Sequence, residues 1–448
     1  MPKKLPAIPP KNQLQLRKSL SAPSLLAQVR QEFERLKENR VKTLRYKLTD
    51  VLMSALAIFG LKYPSLLQFD QARNNELVKA NLKNLYGVEQ APCDTQMRKI
   101  LDPVAPEALK PAFIQIHHTL QRQKVLEKYK YLGGYLISVD GTGQFSSSEI
   151  KCPECCSRKL RNGTTQNYHQ LLAAAIVHPA QATVLPLFPE AIIHQDGEAK
   201  NDCERHAAKR LIPSLRSAFP KLKIILLEDS LAANAPHLQL LHAERMSYII
   251  VVKDSDHAYL RDQVEKRMAA GEGLRLDVRE GKILRQYRYL NQVPLNQSHP
   301  DLLINYLEYQ EWKEGKPSYH CSWITDIKLT PDNVYQVMRA GRARWKIENE
   351  TFNTLKTQGY HLEHNYGHGQ QHLATVLAML MMLHFLIDQV QELACPLFQA
   401  ARGRFHSRTQ LWATLRSRFL EHLLPSWEVL WKSIIYKVKP FEIQIDTS

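Results

Sequence analysis

The chain has 448 residues, 44% of them hydrophobic and 23% charged, with a formal charge of +16 and a pI near 9.4. So apolar a composition excludes an intrinsically disordered chain and supplies a large core, spread over two or three structural units. The positive excess argues for an acidic partner, and the sequence contains neither a GxxxxGK[ST] phosphate loop nor a GxSxG elbow, so nucleotide hydrolysis and acyl transfer have no support.

Residues 1–48 hold 12 Lys and Arg against 3 Glu, more than half of the net charge, and read as a basic arm that can track a phosphate backbone. The first 20 residues lack the continuous apolar run of a secretory signal. From 49 to 132 the apolar spacing is helical, in DVLMSALAIFGL, SLLQFDQARNNELVKANLKNLYGV and PEALKPAFIQIHHTLQRQKVLEKY, broken by Pro, Gly and polar residues. This is expected to be an all-α N-terminal DNA-binding domain. At Tyr135 the period changes. YLISVD, YHQLLAAAIVH, KIILLED and YIIVVK read as strands, joined by helices in NDCERHAAKRLIPSLRSAF and NAPHLQLLHAE, so residues 133–257 should form an α/β mixed sheet with a parallel part. LRLDV, ILRQYRYL, LLINYLEYQEW and YHCSWITD make 258–325 a β-rich insertion. The core resumes over 326–392, followed by a basic C-terminal region, 393–448. Within 326–392, ATVLAMLMMLHFLIDQV has about 14 apolar-rich residues before Asp388, short of the ~20 a membrane span needs, and is expected as a core helix, with no membrane partner.

Three carboxylates stand in contexts that aim them at one point. Asp140 and Asp229 each close an apolar, strand-like run and precede small or turn-forming residues, GTG and SLAAN, which puts them at carboxyl edges of a sheet, where ligands collect. Either alone also suits a helix cap. Glu348 lies in the helical stretch RARWKIENETFNTLK, about 60° from Trp345 on a face marked by Trp345, Phe352 and Leu355, while Glu350 is about 140° away and should face water. A carboxylate near an apolar face needs compensation, either by a divalent cation shared with the aspartates or by an Arg344 ion pair at i, i+4. Asp202 and Glu204 are rival acids, read as residues that open a helix. Asp254 and Asp256 read as a turn after YIIVVK.

CPECC carries a C-x-x-C pair, Cys152 and Cys155, that His169 or Cys203 would complete as a tetrahedral zinc site. Without a second C-x-x-C, these residues read instead as reduced thiols in a loop near Asp140. His361, His364, His368 and His372 lie in a glycine-broken segment, expected to touch DNA phosphates and not a metal. Seven cysteines, three of them crowded together, argue against a secreted disulfide framework and for a reducing cytoplasm.

The order strand-Asp, strand-Asp, β insertion, helix-Glu, in DGTG at 140–143, EDSLAAN at 228–234 and RWKIENETFNTLK at 344–356, resembles the DDE transposases of bacterial insertion sequences. It is most similar to the branch with a Tyr-Arg-Glu-Lys signature and an insertion between the second Asp and the Glu. That resemblance, over about residues 130–390, implies an RNase H-like catalytic core and DNA cleavage and strand transfer at the element's ends. It also implies that Asp140, Asp229 and Glu348 hold two Mg²⁺ ions, with Mn²⁺ as a substitute. Arg344 and Lys356 would be the signature's basic members and, with Arg342 and Lys346, would contact DNA phosphates. A homodimer on double-stranded DNA, end and target, follows, in a prokaryotic cytoplasm at the nucleoid. Two positions depart from the pattern. Gly341 stands where the signature has Tyr, and Lys356 follows the Glu by eight residues instead of seven, a rotation of roughly 80° in a regular α-helix. A nuclease of the same fold that does not join ends, and a catalytically silent DNA-binding descendant, are the alternatives.

Overall fold

The structure, a computed structural model, describes residues 14–38, 40, 45–193, 200–253 and 255–443, with the side chains of 200–203 left out. Twelve strands among the described residues form one sheet. In chain order they are β1 Lys130–Tyr131, β2 Gly134–Ser147, β3 Cys156–Lys159, β4 Thr165–Val177, β5 Leu185–Pro186, β6 Glu190–Ile192, β7 Ile224–Glu228, β8 Ser247–Val252, β9 Leu274–Glu280, β10 Ile283–Asn296, β11 His299–Lys313 and β12 Lys316–Thr325. The main path runs β3-β4-β2-β7-β8-β12-β11-β10-β9, with β1 on β2 and β5 and β6 on β4. Only β2–β7 and β7–β8 pair in parallel, and each needs a crossover: Lys200–Ala218 between β6 and β7, and Ala235–Ala243 between β7 and β8. This is the expected RNase H-like mixed sheet.

The four strands read in 258–325 are present, after a helix, Ala258–Ala269, that replaces the start of the β-rich stretch. They do not form a separate module. β12 pairs antiparallel with β8 from Ser322↔Val252 to Thr325↔Ile249, so the insertion extends the sheet and covers what would be an exposed edge of β8.

The helical half draws on both ends of the chain. Leu373–Ala394 is its axis, a 22-residue helix that would qualify as a membrane span by length and composition, yet its apolar window is wholly buried inside the protein. Leu48–Gly60 packs on one side of it and Pro396–Gly403 on another. The basic C-terminal region folds back on the N-terminal helices. Asn81 Nδ2 donates to the carbonyls of Phe419 and His422, each at 2.8 Å, its Oδ1 accepts from Leu424 N at 2.7 Å, and Trp427 Nε1 donates to Leu85 O at 2.9 Å. Part of the stretch read as a basic arm belongs here too. Residues 1–13, 39 and 41–44 lie outside the described residues, but Ala22–Glu34 is a helix whose Leu25, Leu26, Val29 and Phe33 are buried, packed on Lys110–Arg122.

At the centre of this half Lys62 Nζ lies 2.6 Å from Asp388 Oδ2, with the two residues 2% and 4% exposed. Tyr360 donates its hydroxyl to the same oxygen at 2.6 Å, and the ammonium sits 4.2 Å from the Tyr360 ring centroid and 4.4 Å from that of Trp412. Burial alone would raise the Asp388 carboxyl, but Lys62 and then His384 outweigh it and hold the group below the ordinary carboxylate range. Burial also pulls Lys62 down. The short contact and the tyrosine donor favour the charged pair.

Asp388→Ala should leave a buried ammonium unpaired and destabilise the fold by about 3–5 kcal/mol, read by urea unfolding. A second expectation concerns His117, fully buried in Lys110–Arg122, with Nε2 2.9 Å from Pro186 O on β5. Burial pushes its pKa down to about 4. The unfolded imidazole takes up a proton below about 6.5 and the folded one does not, so stability is lost as pH falls through that window. Between pH 7.5 and 5.0 this loss should be about 2 kcal/mol, and His117→Gln should remove that part of the difference.

Candidate active site

The two aspartates meet because of strand register. β2 and β7 pair from Tyr135↔Ile224 to Ser138↔Leu227, and two residues further on lie Asp140, still within β2, and Asp229, in extended backbone just past the end of β7. Side chains two residues apart share a face, so the carboxylates emerge side by side. β2 does not end at Asp140, as its run suggests. It continues to Ser147 because β4 pairs with it on the other side, Asp140 opposite Ala173. The parallel pairing stops short of Asp140, which opens a cleft at this point of the sheet.

Each aspartate is held by its own backbone neighbourhood. Asp140 Oδ1 accepts from Gly141 N at 2.9 Å, and Asp229 Oδ1 accepts from Leu231 N at 3.0 Å, capping the turn Ser230–Ala232. Asp229 therefore caps this turn while it borders the cleft. Asp140 Oδ2 accepts from Arg344 Nη1 at 3.0 Å. Burial raises the Asp140 carboxyl; Arg344 works against this and the Asp229 charge adds to it, and the net shift is upward. An acid displaced by desolvation and a like charge marks a candidate functional site.

Glu348 reaches this region on an irregular helix. Val334–Arg342 is α-helical, Ala343–Trp345 tightens to a 3₁₀ turn, Ile347–Phe352 opens to a π turn, and Asn353–Thr357 is α again. The 3₁₀ and π turns pack over β2, and Ser138 Oγ donates to the Arg344 carbonyl at 2.9 Å. Glu348 is half-buried there, outside the lining of the cleft that Asp140 and Asp229 border. Glu350 is half-buried like Glu348, so exposure does not separate the two as their helical positions suggested. A π turn bonds i→i+5 and so takes up one residue more than an α turn. Two differences from the sequence reading follow. Trp345, expected in line with Phe352, is 48% exposed while Phe352 is buried, and the eight residues from Glu348 to Lys356 span the rotation that seven span in a plain α-helix.

The four basic residues assigned to DNA separate into two groups. Arg342 and Lys346 line one cleft together with Arg285 and Arg339, between the insertion strands and the Glu348 helix. Arg342 stacks 4.5 Å from the Tyr319 ring centroid, and Lys346 Nζ donates to Gln181 O at 2.8 Å. Arg344 is instead buried, bound to Asp140 and stacked 4.6 Å from the Trp345 ring centroid, and Lys356 pairs with Glu363 at 2.9 Å.

Other acids come closer than the sequence implied. Glu204 borders the aspartate cleft, its Oε1 placed 2.8 Å from where a Cβ on Gly141 would stand. Glu228, the last residue of β7, points to His237 with 2.8 Å between Oε2 and Nε2; burial opposes protonation of that histidine, but the carboxylate outweighs it and raises its pKa. The only signal for Glu204 was its place at the start of a helix. The Asp202 side chain and Asp254 lie outside the described residues, and Asp256 is exposed. Among the described residues, one group of three or more metal-ligating side chains has its ligand atoms within 4.8 Å of one another: Cys152, Cys155 and His169, with His368 as a fourth member. The aspartates and Glu348 do not meet that distance.

In comparisons with known families, residues 147–386, more than half of the chain, match the model of a transposase DDE domain. The match contains Asp229 and Glu348 and begins after Asp140. No curated protein matches the chain.

Gly341, where a tyrosine was expected from the resemblance, leaves no room for a larger side chain. A Cβ on Gly341 would lie 2.5 Å from Trp323 Nε1 and 2.7 Å from its Cε2, and that indole, 1% exposed, is fixed in β12. Gly341→Ala should therefore displace the Glu348 helix from the sheet and lower stability by about 1–3 kcal/mol, measured by urea unfolding.

Proposed function

The chain belongs to the transposase DDE domain family, and on that premise we propose that it binds the double-stranded ends of a bacterial insertion sequence as a homodimer and catalyses metal-dependent cleavage and strand transfer. The observation that carries this reading is the parallel register that sets Asp140 beside Asp229, next to the helix of Glu348. Two like charges share this position with one buried guanidinium, and the donors are all hard oxygens, a set that suits Mg²⁺. Asp140, Asp229 and Glu348 would hold two Mg²⁺ ions, with Mn²⁺ as a substitute, which when bound supply an activated water or 3′-hydroxyl and a stabilised leaving oxygen.

The chain's own residues prepare the site. Arg344 favours the ionised form of Asp140 against its burial and orients it, and the Gly141 and Leu231 amides fix the rotamers of the two aspartates. Arg342 and Lys346, with Arg285 and Arg339, form a cationic cleft that grips phosphates and reads no bases. The working compartment is then the cytoplasm of a prokaryote, at the nucleoid.

The test is cleavage and joining by purified protein on labelled DNA carrying the ends that flank its own gene, with Mg²⁺ or EDTA. Asp140→Asn, Asp229→Asn and Glu348→Gln should each reduce both products by about 10³-fold, a loss of several kcal/mol of transition-state stabilisation, and leave end binding within about twofold. A variant that cuts like the parent removes its residue from the triad. Cutting without joined products would point to a hydrolytic nuclease, and binding without cutting under any divalent ion to a silent DNA-binding descendant.

A further inference from the structure

We propose that Cys152, Cys155, His169 and His368 bind one structural Zn²⁺, separate from the carboxylate site, that clamps the loop after β2 to the segment leading from the Glu348 helix into the long helix. The distances carry it. Cys152 Sγ and Cys155 Sγ are 3.7 Å apart, His169 Nε2 is 3.4 Å from each sulfur, and His368 Nε2 is 3.4 Å from Cys155 Sγ. A tetrahedron with Zn–S near 2.3 Å and Zn–N near 2.0–2.1 Å has edges of about 3.8 Å between sulfurs and about 3.5 Å between sulfur and nitrogen. Four soft or borderline donors at those separations suit Zn²⁺ and not the hard Mg²⁺ of the aspartate site.

The surroundings are built for a closed site. Cys152, Cys155 and His169 are each under 5% exposed, and Phe145 lies beside both imidazoles, with ring centroids 6.5 Å from His169 and 5.1 Å from His368. The C-x-x-C turn is closed by Cys155 N donating to Cys152 O at 3.2 Å, and Cys152 N donates to Cys155 Sγ at 3.4 Å, as outer hydrogen bonds do around ligating thiolates. Cys156 turns away, toward Ile192 O. The segment with His368 is anchored independently. Asp102 accepts from the amides of Gln370, Gln371 and Leu373 at 3.0–3.2 Å, and Gly369, at φ +71°, leaves no room for a Cβ beside that carboxylate. Glu154, between the cysteines, pairs with His372 at 2.8 Å.

Sequence spacing points to Cys152, Cys155 and His169 but cannot supply the fourth ligand, which follows the third by about 200 residues and arrives from the far side of the insertion. One ion would join β4, the loop 148–155 and the segment 361–372, and so restrain the hairpin that presents Arg158, Lys159 and Arg161 to solvent. Coordination by four side chains from three segments is a tertiary crosslink, and its free energy adds to folding.

The experiment is elemental analysis of the full chain purified without chelator, with X-ray absorption at the zinc edge. One zinc per chain is expected, with two sulfur neighbours near 2.3 Å and two nitrogen neighbours near 2.0 Å. A strong chelator should lower Tm by several degrees, and excess Mg²⁺ should not displace the zinc. Cys152→Ser should lose the metal, and His368→Ala should retain it with three protein ligands at weaker affinity, or lose it. A parent chain that neither carries zinc nor takes it up on titration, and whose Tm ignores the chelator, overturns the proposal. A His368→Ala chain with an unchanged absorption spectrum and affinity overturns the four-ligand assignment. Neither measurement involves DNA, so each stands or fails apart from the transposase reading.

Discussion

The helical half is arranged around a charge pair kept from water. Removing an ammonium and a carboxylate from solvent costs several kcal/mol each unless geometry returns it, and here Lys62 and Asp388 are enclosed by Tyr360, Trp412 and His384. These residues come from the turn just after Leu48–Gly60, the segment before the long helix, the long helix itself and Arg408–Glu421. Closing the pair therefore requires chain ends more than 300 residues apart to be assembled together. Leu373–Ala394 passes this constraint toward the sheet, since Gln389 Oε1 accepts from Val184 N just before β5.

On the sheet side the corresponding constraint is register. Slipping β7 by one residue against β2 would turn Asp229 to the opposite face and separate it from Asp140. Apolar burial on both faces of the parallel strands prevents this, because Ile224–Glu228 is buried along its whole length. Arg344 then links the Glu348 helix to the strand through Asp140, and the Ser138 hydroxyl binds the backbone of the same residue. The site thus depends on ordinary packing for its placement and on a few polar contacts for its aim.

The irregular helix between Arg342 and Asn353 shows how a departure at one level is absorbed at another. Trp323 occupies the space beside Gly341, and the π turn takes up one residue before Lys356. Both adjustments surround the half-buried Glu348, in keeping with the frequent occurrence of π turns at functional positions. Lys356 ends in a pair with Glu363 and Arg344 in one with Asp140, while Arg342 and Lys346 line the cleft beside the insertion with two arginines that no motif pointed to, Arg285 and Arg339, and with Glu311, 3.9 Å from Arg342 and 3.8 Å from Arg285.

Strands and helices were legible where a local period decides them: YLISVD, KIILLED, YIIVVK, the four insertion strands and the long apolar helix lie where their hydrophobic patterns put them. The order of the three acids and the helix-with-Glu context carried the family, because those cues are local residue types at recognisable edges. The sequence by itself thus determined the type of the strongly patterned elements, though not of the helix Ala258–Ala269, together with the α/β class and the three candidate carboxylates of the motif. Only the tertiary structure decided that β2 runs past Asp140, that the insertion completes the same sheet, that the C-terminal helices close the N-terminal domain, and that His368 joins Cys152, Cys155 and His169. The physical reason is the same in each case. These features depend on pairing or burial between segments distant in the chain, and hydrophobic periodicity records which face of an element is covered without recording by what.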